Sequence, residues 1–221
     1  MKLTKPLACA AALVGVLAAT SVHAQEEPSA ASVAIKAGTL GIGPEVGFRP
    51  SETFGIRANA TFFGVGTEFD SDDVNYDADL DLESYGATVD LYPFGGGFRV
   101  SGGLRINNNR ASLLAEPQME TIEIGNNEYD RSEVGILSVG ADTNDIAPLL
   151  TIGYGGGRSR GFQFTIDAGV LFQGDLEVGE INASGGGVAA SDLEIERATL
   201  QDDVDGYGVY PILEIGVGWR F

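Results

Sequence analysis

Charged side chains occur at alternating positions inside stretches that are otherwise apolar or rich in glycine. The set holds four acids and four bases: Glu45, Arg57, Asp90, Arg99, Arg105, Asp167, Glu214 and Arg220. Because side chains alternate across a β-strand, each charge lies on the face opposite its apolar neighbours. Charges enclosed in a narrow interior must pair, so a balanced set predicts a salt-bridge network. A narrow ion or solute path lined by these charges is the alternative.

The segment 70–83 is strongly acidic and is the candidate for metal chemistry. Its possible ligands are Asp70, Asp72, Asp73, Asp77, Asp79 and Asp81. Carboxylate oxygens bind Ca²⁺ or Mg²⁺, but the spacing lacks the glycine and glutamate of an EF-hand loop. A solvated outer face is therefore the preferred interpretation, with no metal centre and no cofactor assigned. A second acidic group is interpreted in the same way: Glu194, Glu196, Asp202, Asp203 and Asp205.

Histidine and cysteine are nearly absent, which limits enzymatic functions. His23 and Cys9 are the only residues of their types, and both precede residue 25. Hydrolases and acyltransferases that use histidine as a base are therefore excluded for a chain that begins after residue 24. A hydrolase using a pair of acids stays open. The expectation is that the protein is not an enzyme.

The first 24 residues predict a secretory signal peptide. Lys2 and Lys5 precede an apolar run over 7–19, and small residues lead to a cleavage site after Ala24. Removing the two lysines takes the net charge of −19 to about −21, which argues against nucleic acid as a partner. The remaining chain is divided into a flexible start at 25–32 and a folded domain at 33–221.

Alternation is clearest in the last fifteen residues. One face carries only apolar or aromatic side chains: Tyr207, Val209, Pro211, Leu213, Ile215, Val217, Trp219 and Phe221. The same pattern recurs near 33–48, 53–69, 85–91, 98–106, 145–154 and 162–172, with a change of phase near Gly38 that predicts a bulge or turn. Seven strands are clear, but bacterial barrels have an even number. The eighth is expected within 25–41; a bridge inside 175–205 and an amino terminus threaded through the lumen are alternatives.

Connections and aromatic residues favour a membrane barrel over a sandwich. Long polar connections, at 111–144 and 175–205, alternate with short turns. Within the first, a hairpin is predicted at 125–127. Within the second, a helix capped by Ser191 is predicted over 191–205. Aromatics cluster near the short turns, with Tyr92 and Phe94 among them, and form a predicted interface girdle of Phe48, Phe54, Phe98, Tyr154, Phe162, Trp219 and Phe221. A second set lies about ten residues away, at Phe62, Phe172 and Tyr207. The predicted fold is all-β: a closed antiparallel up-and-down transmembrane β-barrel of eight strands, with a short helix in the last long outer loop. A soluble exported β protein is the alternative, which cell fractionation would distinguish.

Several local motifs resemble those of small bacterial outer-membrane β-barrel proteins. They are Tyr92-Pro93-Phe94-Gly95-Gly96-Gly97-Phe98-Arg99, Ala147-Pro148, Ile152-Gly153, Tyr210-Pro211 and Trp219-Arg220-Phe221. In plan the chain is similar to the transmembrane domain of outer membrane protein A and to the OmpW and OmpX families, and most similar to uncharacterised proteobacterial outer-membrane proteins. The resemblance implies the outer membrane of a Gram-negative bacterium, contact with its lipids and lipopolysaccharide, and a terminal strand at Phe221 that the barrel-insertion machinery reads. It implies a monomer and marks architecture rather than activity.

The functional expectation is a structural or surface-interaction barrel. Its lumen is plugged by the salt-bridge network, and its acidic loops face outward and meet lipopolysaccharide and divalent cations. The alternative is a porin-like narrow channel for small solutes or ions, which single-channel conductance would reveal.

Overall fold

The computed structural model describes residues 30–71, 73–156 and 159–221. The predicted signal peptide lies outside the described residues. In chain order the elements are β1 (Ala31–Gly38), β2 (Gly41–Phe48), β3 (Phe54–Ser71), β4 (Val74–Leu91), β5 (Phe98–Asn107), β6 (Arg110–Pro117), β7 (Thr121–Ile124), β8 (Asn127–Asp130), α1 (Arg131–Val134), β9 (Leu137–Asp142), β10 (Ile146–Gly155), β11 (Gly161–Phe172), β12 (Glu177–Val178), β13 (Asn182–Ala183), α2 (Ala190–Val204) and β14 (Val209–Arg220). Neither described helix is long and apolar enough to cross a membrane.

Eight antiparallel strands close into a barrel, as predicted. The order around the wall is β1, β2, β3, β4, β5, β10, β11 and β14, and β14 pairs with β1 to complete the circle. Closure satisfies the backbone of every wall strand, which hydrocarbon requires. Both ends of the described barrel chain, at Ala31 and Phe221, lie on the side of the short turns.

The eighth strand is β1, within the segment expected to hold it. β1 and β2 pair along their whole length, from Ala31↔Phe48 to Gly38↔Gly41. The change of phase near Gly38 is thus a two-residue turn at Thr39 and Leu40. Gly41 follows with a φ of 104°, a conformation that other residues rarely adopt. The stretch 33–48, which was counted as one strand with a bulge or turn, therefore forms two strands, and Leu40 in the turn is buried.

The outside of the barrel carries a belt of exposed apolar side chains. On each wall strand the residues of one parity are apolar and exposed, including Ile35, Val46, Ile56, Val89, Leu104, Ile152, Ile166 and Ile215. The residues of the other parity point into the lumen and are mostly polar. Exposed apolar side chains in a continuous belt fit hydrocarbon and not water.

The predicted girdle residues lie at the lower end of the wall, beside the short turns. Tyr154 pairs with Phe98, Phe162 with Trp219, and Phe54 with Leu91. Phe48, Phe54, Tyr154, Phe162, Trp219 and Phe221 are exposed, whereas Phe98 is half-buried and packs against Phe94 at 5.8 Å between ring centroids. At the upper end Phe62 meets Tyr85 edge to face at 5.9 Å. Tyr92 does not join the girdle; it is buried inside the barrel.

Part of the wall continues above the barrel as an outer sheet. We define it as the upper halves of β3 and β4 together with β6, β9, β12 and β13. Its inner face continues the lumen-facing parity and is apolar, with the pairs Phe63↔Leu82, Val65↔Leu80 and Phe69↔Tyr76. The outer face continues the lipid-facing parity and is acidic. Both faces therefore reverse polarity where the wall leaves the membrane.

A hairpin and a helix complete the outer side. β7 and β8 form the predicted hairpin around Gly125, and α2 matches the predicted helix within one residue at each end. The predicted cap is wrong: the N-cap position is Ala189, without a side-chain cap, and not Ser191. Apolar packing does not anchor α2 at Ile195, since this side chain is exposed. Polar contacts do so instead, as described below.

Candidate functional site

Lys36 lies at the centre of the lumen and binds three acids. Its Nζ donates to Asp167 Oδ2 at 2.9 Å and to Glu214 Oε2 at 2.6 Å, and lies 3.3 Å from Glu45 Oε2. Only 1% of the residue is exposed. Lys36 belongs to β1, Glu45 to β2, and the two other acids to β11 and β14. One cation therefore joins four strands, on both sides of the β1–β14 seam.

Two arginines complete the charged layer. Arg57 donates to both oxygens of Asp90, at 2.6 and 2.9 Å, and reaches Glu45 at 2.9 Å. Arg99 donates to both oxygens of Asp167, at 3.0 and 2.7 Å. Paired N–H groups of a guanidinium match the two carboxylate oxygens and fix orientation as well as charge. We call these seven side chains the lumen network: Lys36, Glu45, Arg57, Asp90, Arg99, Asp167 and Glu214.

The structure brings six of the eight predicted lumen charges into this network, and Lys36 was missed. Arg105 lies above it and donates to neutral oxygens of Asn59, Thr61 and Ser84 at 2.7–2.9 Å. Arg220 is buried near the lower end and donates to Gln163 at 3.2 Å. The signal that could have placed Lys36 is its parity, because Val33, Ile35 and Ala37 alternate with it.

The lower end of the lumen is closed by Arg49 and Tyr92. The guanidinium of Arg49 lies 3.5 Å from the centre of the Tyr92 ring. It also donates to the carbonyl oxygens of Gly95 and Gly96 at 2.8 and 2.9 Å, so it ties two short turns together. Tyr92 donates its hydroxyl to Asp90 at 3.3 Å, which joins this closure to the lumen network. A cation over an aromatic face is attracted by the ring quadrupole, more strongly where water is excluded.

The upper end of the lumen is sealed by apolar side chains. The layer consists of Leu40, Ala147, Leu149, Leu171 and Ile212, with Tyr210 packed against it. The Tyr210 hydroxyl donates to the carbonyl of Thr39 at 2.7 Å, which holds the β1–β2 turn over the seal. The charged layer is therefore separated from the outside by a layer that offers an ion no polar group.

Two cavities inside the lumen are each about the size of one water molecule. One lies between the lower closure and the network, and the other between the network and the apolar seal; each has a volume of about 20 Å³. A single water needs roughly 10–15 Å³ on this measure.

The acids Asp90 and Asp167 are fully buried, so a substrate of an acid-pair hydrolase could not reach them.

The possible metal ligands of the acidic segment lie along one face of β4. Asp77, Asp79 and Asp81 alternate on the outer face, where same-face neighbours are about 6.6 Å apart along the strand. Asp70 pairs with Asn75 near the top of β3. Within the described residues, no group of three or more acids, histidines or cysteines is arranged to hold a metal ion. Asp72 lies outside the described residues.

Polar contacts hold α2 above the β7–β8 hairpin. Asp192 accepts from the Tyr129 hydroxyl and from Asn127 Nδ2 at 2.9 Å. The Tyr129 hydrogen bond and then that of Asn127 lower the pKa of Asp192, because both favour its ionised form. Gln201 donates to the carbonyl of Leu176 at 2.7 Å and accepts from Val178 at 2.9 Å. The helix is thus fixed to the β7–β8 hairpin near its first turn and to the outer sheet near its last turn.

Several solved structures resemble this chain, and two of them are outer-membrane proteins of one organism whose folds superpose over most of its length. CarO2 from Acinetobacter baumannii superposes with a TM-score of 0.57 at 19% identity, and the match covers 87% of this chain and 99% of that one. CarO from the same organism gives a TM-score of 0.56 at 18% identity, covering 86% and 97%. No family model and no curated protein matches the sequence. At these identities the likeness concerns the fold.

The fold and the belt together confirm the predicted architecture. The chain is a small closed β-barrel of the outer-membrane type, and an eight-stranded barrel of this kind holds its lumen filled with side chains. The apolar belt and the aromatic residues at both ends of the wall fit the outer membrane of a Gram-negative bacterium, as the sequence predicted.

Proposed function

We propose that this protein is a closed outer-membrane barrel with a structural and surface-interaction role rather than a channel. The observation that carries the proposal is the filled lumen. Three layers, namely the Arg49–Tyr92 closure, the lumen network and the apolar seal, lie in series, with cavities of about 20 Å³ between them. An ion crossing the barrel would have to break buried bidentate ion pairs and then enter an apolar layer.

The closed lumen predicts that the protein conducts no ion current across a bilayer. Purified full-length protein reconstituted in planar bilayers at 1 M KCl is expected to give no persistent unitary current, because no layer of the lumen offers a hydrated path. Single-channel recording provides the measurement, with a general porin in the same bilayer as the positive control. Reproducible long-lived current steps from the protein would favour the narrow-channel alternative and contradict the plug.

We also propose that the acidic outer face meets lipopolysaccharide through divalent cations. Asp77, Asp79, Asp81 and Glu83 lie on the face of β4 that continues the lipid-facing parity, directly above Tyr85 at the membrane surface. Lipopolysaccharide phosphates are anionic, so direct contact with this face is repulsive. Mg²⁺ and Ca²⁺ bind carboxylate and phosphate oxygens alike and can bridge the two.

This bridging predicts a cation-dependent interaction that the outer face of β4 controls. The triple variant Asp77→Asn, Asp79→Asn, Asp81→Asn is expected to lose several-fold in Mg²⁺-dependent binding of purified lipopolysaccharide to the protein in nanodiscs. A triple change of equal charge on α2 (Glu194→Gln, Asp202→Asn, Asp203→Asn) is the matched control and should bind as wild type does. Equal binding by both variants, or binding unaffected by EDTA, would remove this role.

The terminal strand supports one further partner, and the closed wall supports an oligomeric state. β14 alternates along its entire length and ends beside Phe221, which supports recognition by the barrel-insertion machinery. The wall strands are paired on both sides within one chain, which supports a monomer. A non-enzymatic role is supported by the burial of the lumen acids and by the lack of histidine after residue 23.

A further inference from the structure

The wall has a gap just above the barrel. The ladder between β5 and β10 ends at the pair Ile106↔Ile146, and the ladder between β6 and β9 begins at Arg110↔Asp142. The Asn107 N–H still donates to the Asp145 carbonyl at 2.8 Å, so the two strands separate over residues 108–109 and 143–144. A cavity of about 420 Å³ lies at this gap, which we call the window. Its lining is almost entirely amide, hydroxyl and carboxylate groups.

Asn107 is the polar group of the window that most requires a partner. The residue is 2% exposed and lines the window cavity. Among the residues that the structure describes, neither its Oδ1 nor its Nδ2 has a hydrogen-bond partner. The buried Thr143 Oγ1 likewise has none there. Buried polar groups are nearly always satisfied, because each one left unpaired costs its desolvation free energy. A ligand in the window would supply the missing hydrogen bonds.

An apolar pocket adjoins the window on the inside. Its volume is about 320 Å³, within the range of small-molecule sites. The pocket shares Asn109, Arg110 and Thr143 with the window, so the two cavities meet. Its apolar walls come from the inner face of the outer sheet, the lumen seal and the segment before β14, and include Leu80, Leu82, Leu171, Leu176, Tyr207 and Tyr210. The lumen seal forms the floor, so the pocket is a dead end.

The charges of the window select the polar part of an occupant. Asp142, Asp145 and Glu177 line it, against the single cation Arg110. Arg110 also lies directly between Asp142 and Asp81 in the ladder, which balances its charge locally. An anionic head group is therefore repelled, and a protonated amine is attracted. The apolar pocket beside it accepts an alkyl or aromatic body.

We propose that the window and the adjoining pocket form one binding site for a small cationic amphiphile. The amine lies in the window, where it donates to Asn107 Oδ1 and to the carboxylates, and the apolar body fills the leucine-lined pocket. This site goes beyond the closed-barrel role and does not depend on it, since the pocket ends above the seal.

Three probes with one chain length test the proposal: octylamine, octanol and octanoate. Full-length protein with ¹³C-labelled leucine and valine methyl groups is reconstituted in nanodiscs and titrated with each probe by NMR. Observing the protein separates site binding from partition into lipid. Octylamine is expected to shift the methyl groups of Leu80, Leu82, Leu171 and Leu176, with an affinity at least tenfold above that of octanoate. Shortening the chain to hexylamine should weaken binding by roughly fifteenfold, about fourfold for each methylene removed from an apolar site.

Two variants separate the halves of the site. The triple change Asp142→Asn, Asp145→Asn, Glu177→Gln should abolish the preference for octylamine over octanol and leave octanol binding intact, whereas Leu176→Glu should remove both. Glu194→Gln with Asp202→Asn and Asp203→Asn on α2 is the charge-matched control and should retain the preference, because none of these residues lines the window or the pocket. Equal affinity for the three probes, methyl shifts spread over the lipid-facing leucines, or loss of preference in the control would overturn the proposal. The two proposals fail by different results: a persistent single-channel current would refute the closed lumen, whereas equal affinity for the three probes in an electrically silent barrel would refute this site alone.

Discussion

Replacing Lys36 with methionine is expected to lower the free energy of unfolding by about 3–5 kcal/mol, because it leaves buried acids without their shared cation. Methionine fills a similar volume and accepts burial, so the loss reports charge rather than packing. Glu214 depends on Lys36 most, since Lys36 is its partner at 2.6 Å, whereas Asp167 keeps Arg99 at 2.7 Å. Urea titration of the protein in phospholipid vesicles, followed by the fluorescence of Trp219, gives the measurement.

A rescue and a control make the Lys36 result specific. Adding Glu214→Gln to Lys36→Met should recover a large part of the lost stability, because a neutral amide replaces the stranded carboxylate. Arg197→Met removes the exposed pair between Arg197 and Glu194 on α2 and should cost at most about 1 kcal/mol. If Lys36→Met proved no more costly than Arg197→Met, the network would not be what holds the lumen together.

The second large effect is expected on the outside of the wall, at Ile215. This side chain lies midway along β14, pairs with Ala37 and Ile166, and is exposed on the lipid-facing side. Ile215→Arg should lower the free energy of unfolding in vesicles by about 2–4 kcal/mol, because it places a charge near the middle of the bilayer. The same titration measures it, and the fraction of barrel that resists boiling in detergent gels gives a second readout.

An arginine outside the membrane is the matched control for Ile215. Ile195 is an exposed isoleucine on α2, above the barrel, and Ile195→Arg should change the stability by less than about 0.5 kcal/mol. Equal costs at the two positions would show that the exposed apolar belt does not contact hydrocarbon. That result would return the chain to the soluble alternative.

The wall could be predicted from sequence because its signal has the shortest possible period. Each wall strand places apolar residues toward lipid at every second position, as at Ile215 and Val217. The aromatic girdle at one end of the wall could also be predicted, because its residues lie close to the short turns in the sequence. Alternation also gave the inward charges Glu45, Asp90 and Asp167, since parity alone assigns them to the lumen. Contacts within the lumen were not predictable, because they depend on which strands lie opposite each other across the barrel.

The errors arise where the chain reverses or leaves the barrel. The two-residue turn at Thr39 and Leu40 joins two strands of opposite phase, and a bulge gives a similar pattern over so few residues. Lys36 was missed for that reason. Tyr92 was grouped with the aromatics near the short turns because of its position in the sequence. Inside the barrel its hydroxyl donates to Asp90 and its ring contacts the guanidinium of Arg49. No local sequence pattern distinguishes this role from a place at the membrane interface.

Of the two faces that change polarity on β3 and β4, only the outer one could be predicted from the sequence. The acidic face of 77–83 was predicted, since alternating carboxylates cannot face lipid. The apolar inner face was not, because Phe63, Val65, Leu80 and Leu82 continue the parity of buried polar residues such as Thr61 and Ser84. Its apolar character has meaning only once the outer sheet curves over the mouth of the lumen and encloses a pocket.

The position of Lys36 beside the β1–β14 seam also constrains assembly. A barrel that has inserted but not closed holds Asp167 and Glu214 on its last strands and their cation on its first strand. In that open form Asp167 keeps Arg99, but Glu214 would face a nonpolar medium without its counter-charge, so the half-closed state is disfavoured inside the bilayer. We therefore expect closure of the β1–β14 seam and burial of the wall in hydrocarbon to occur together, with Lys36 completing the ion pair of Glu214.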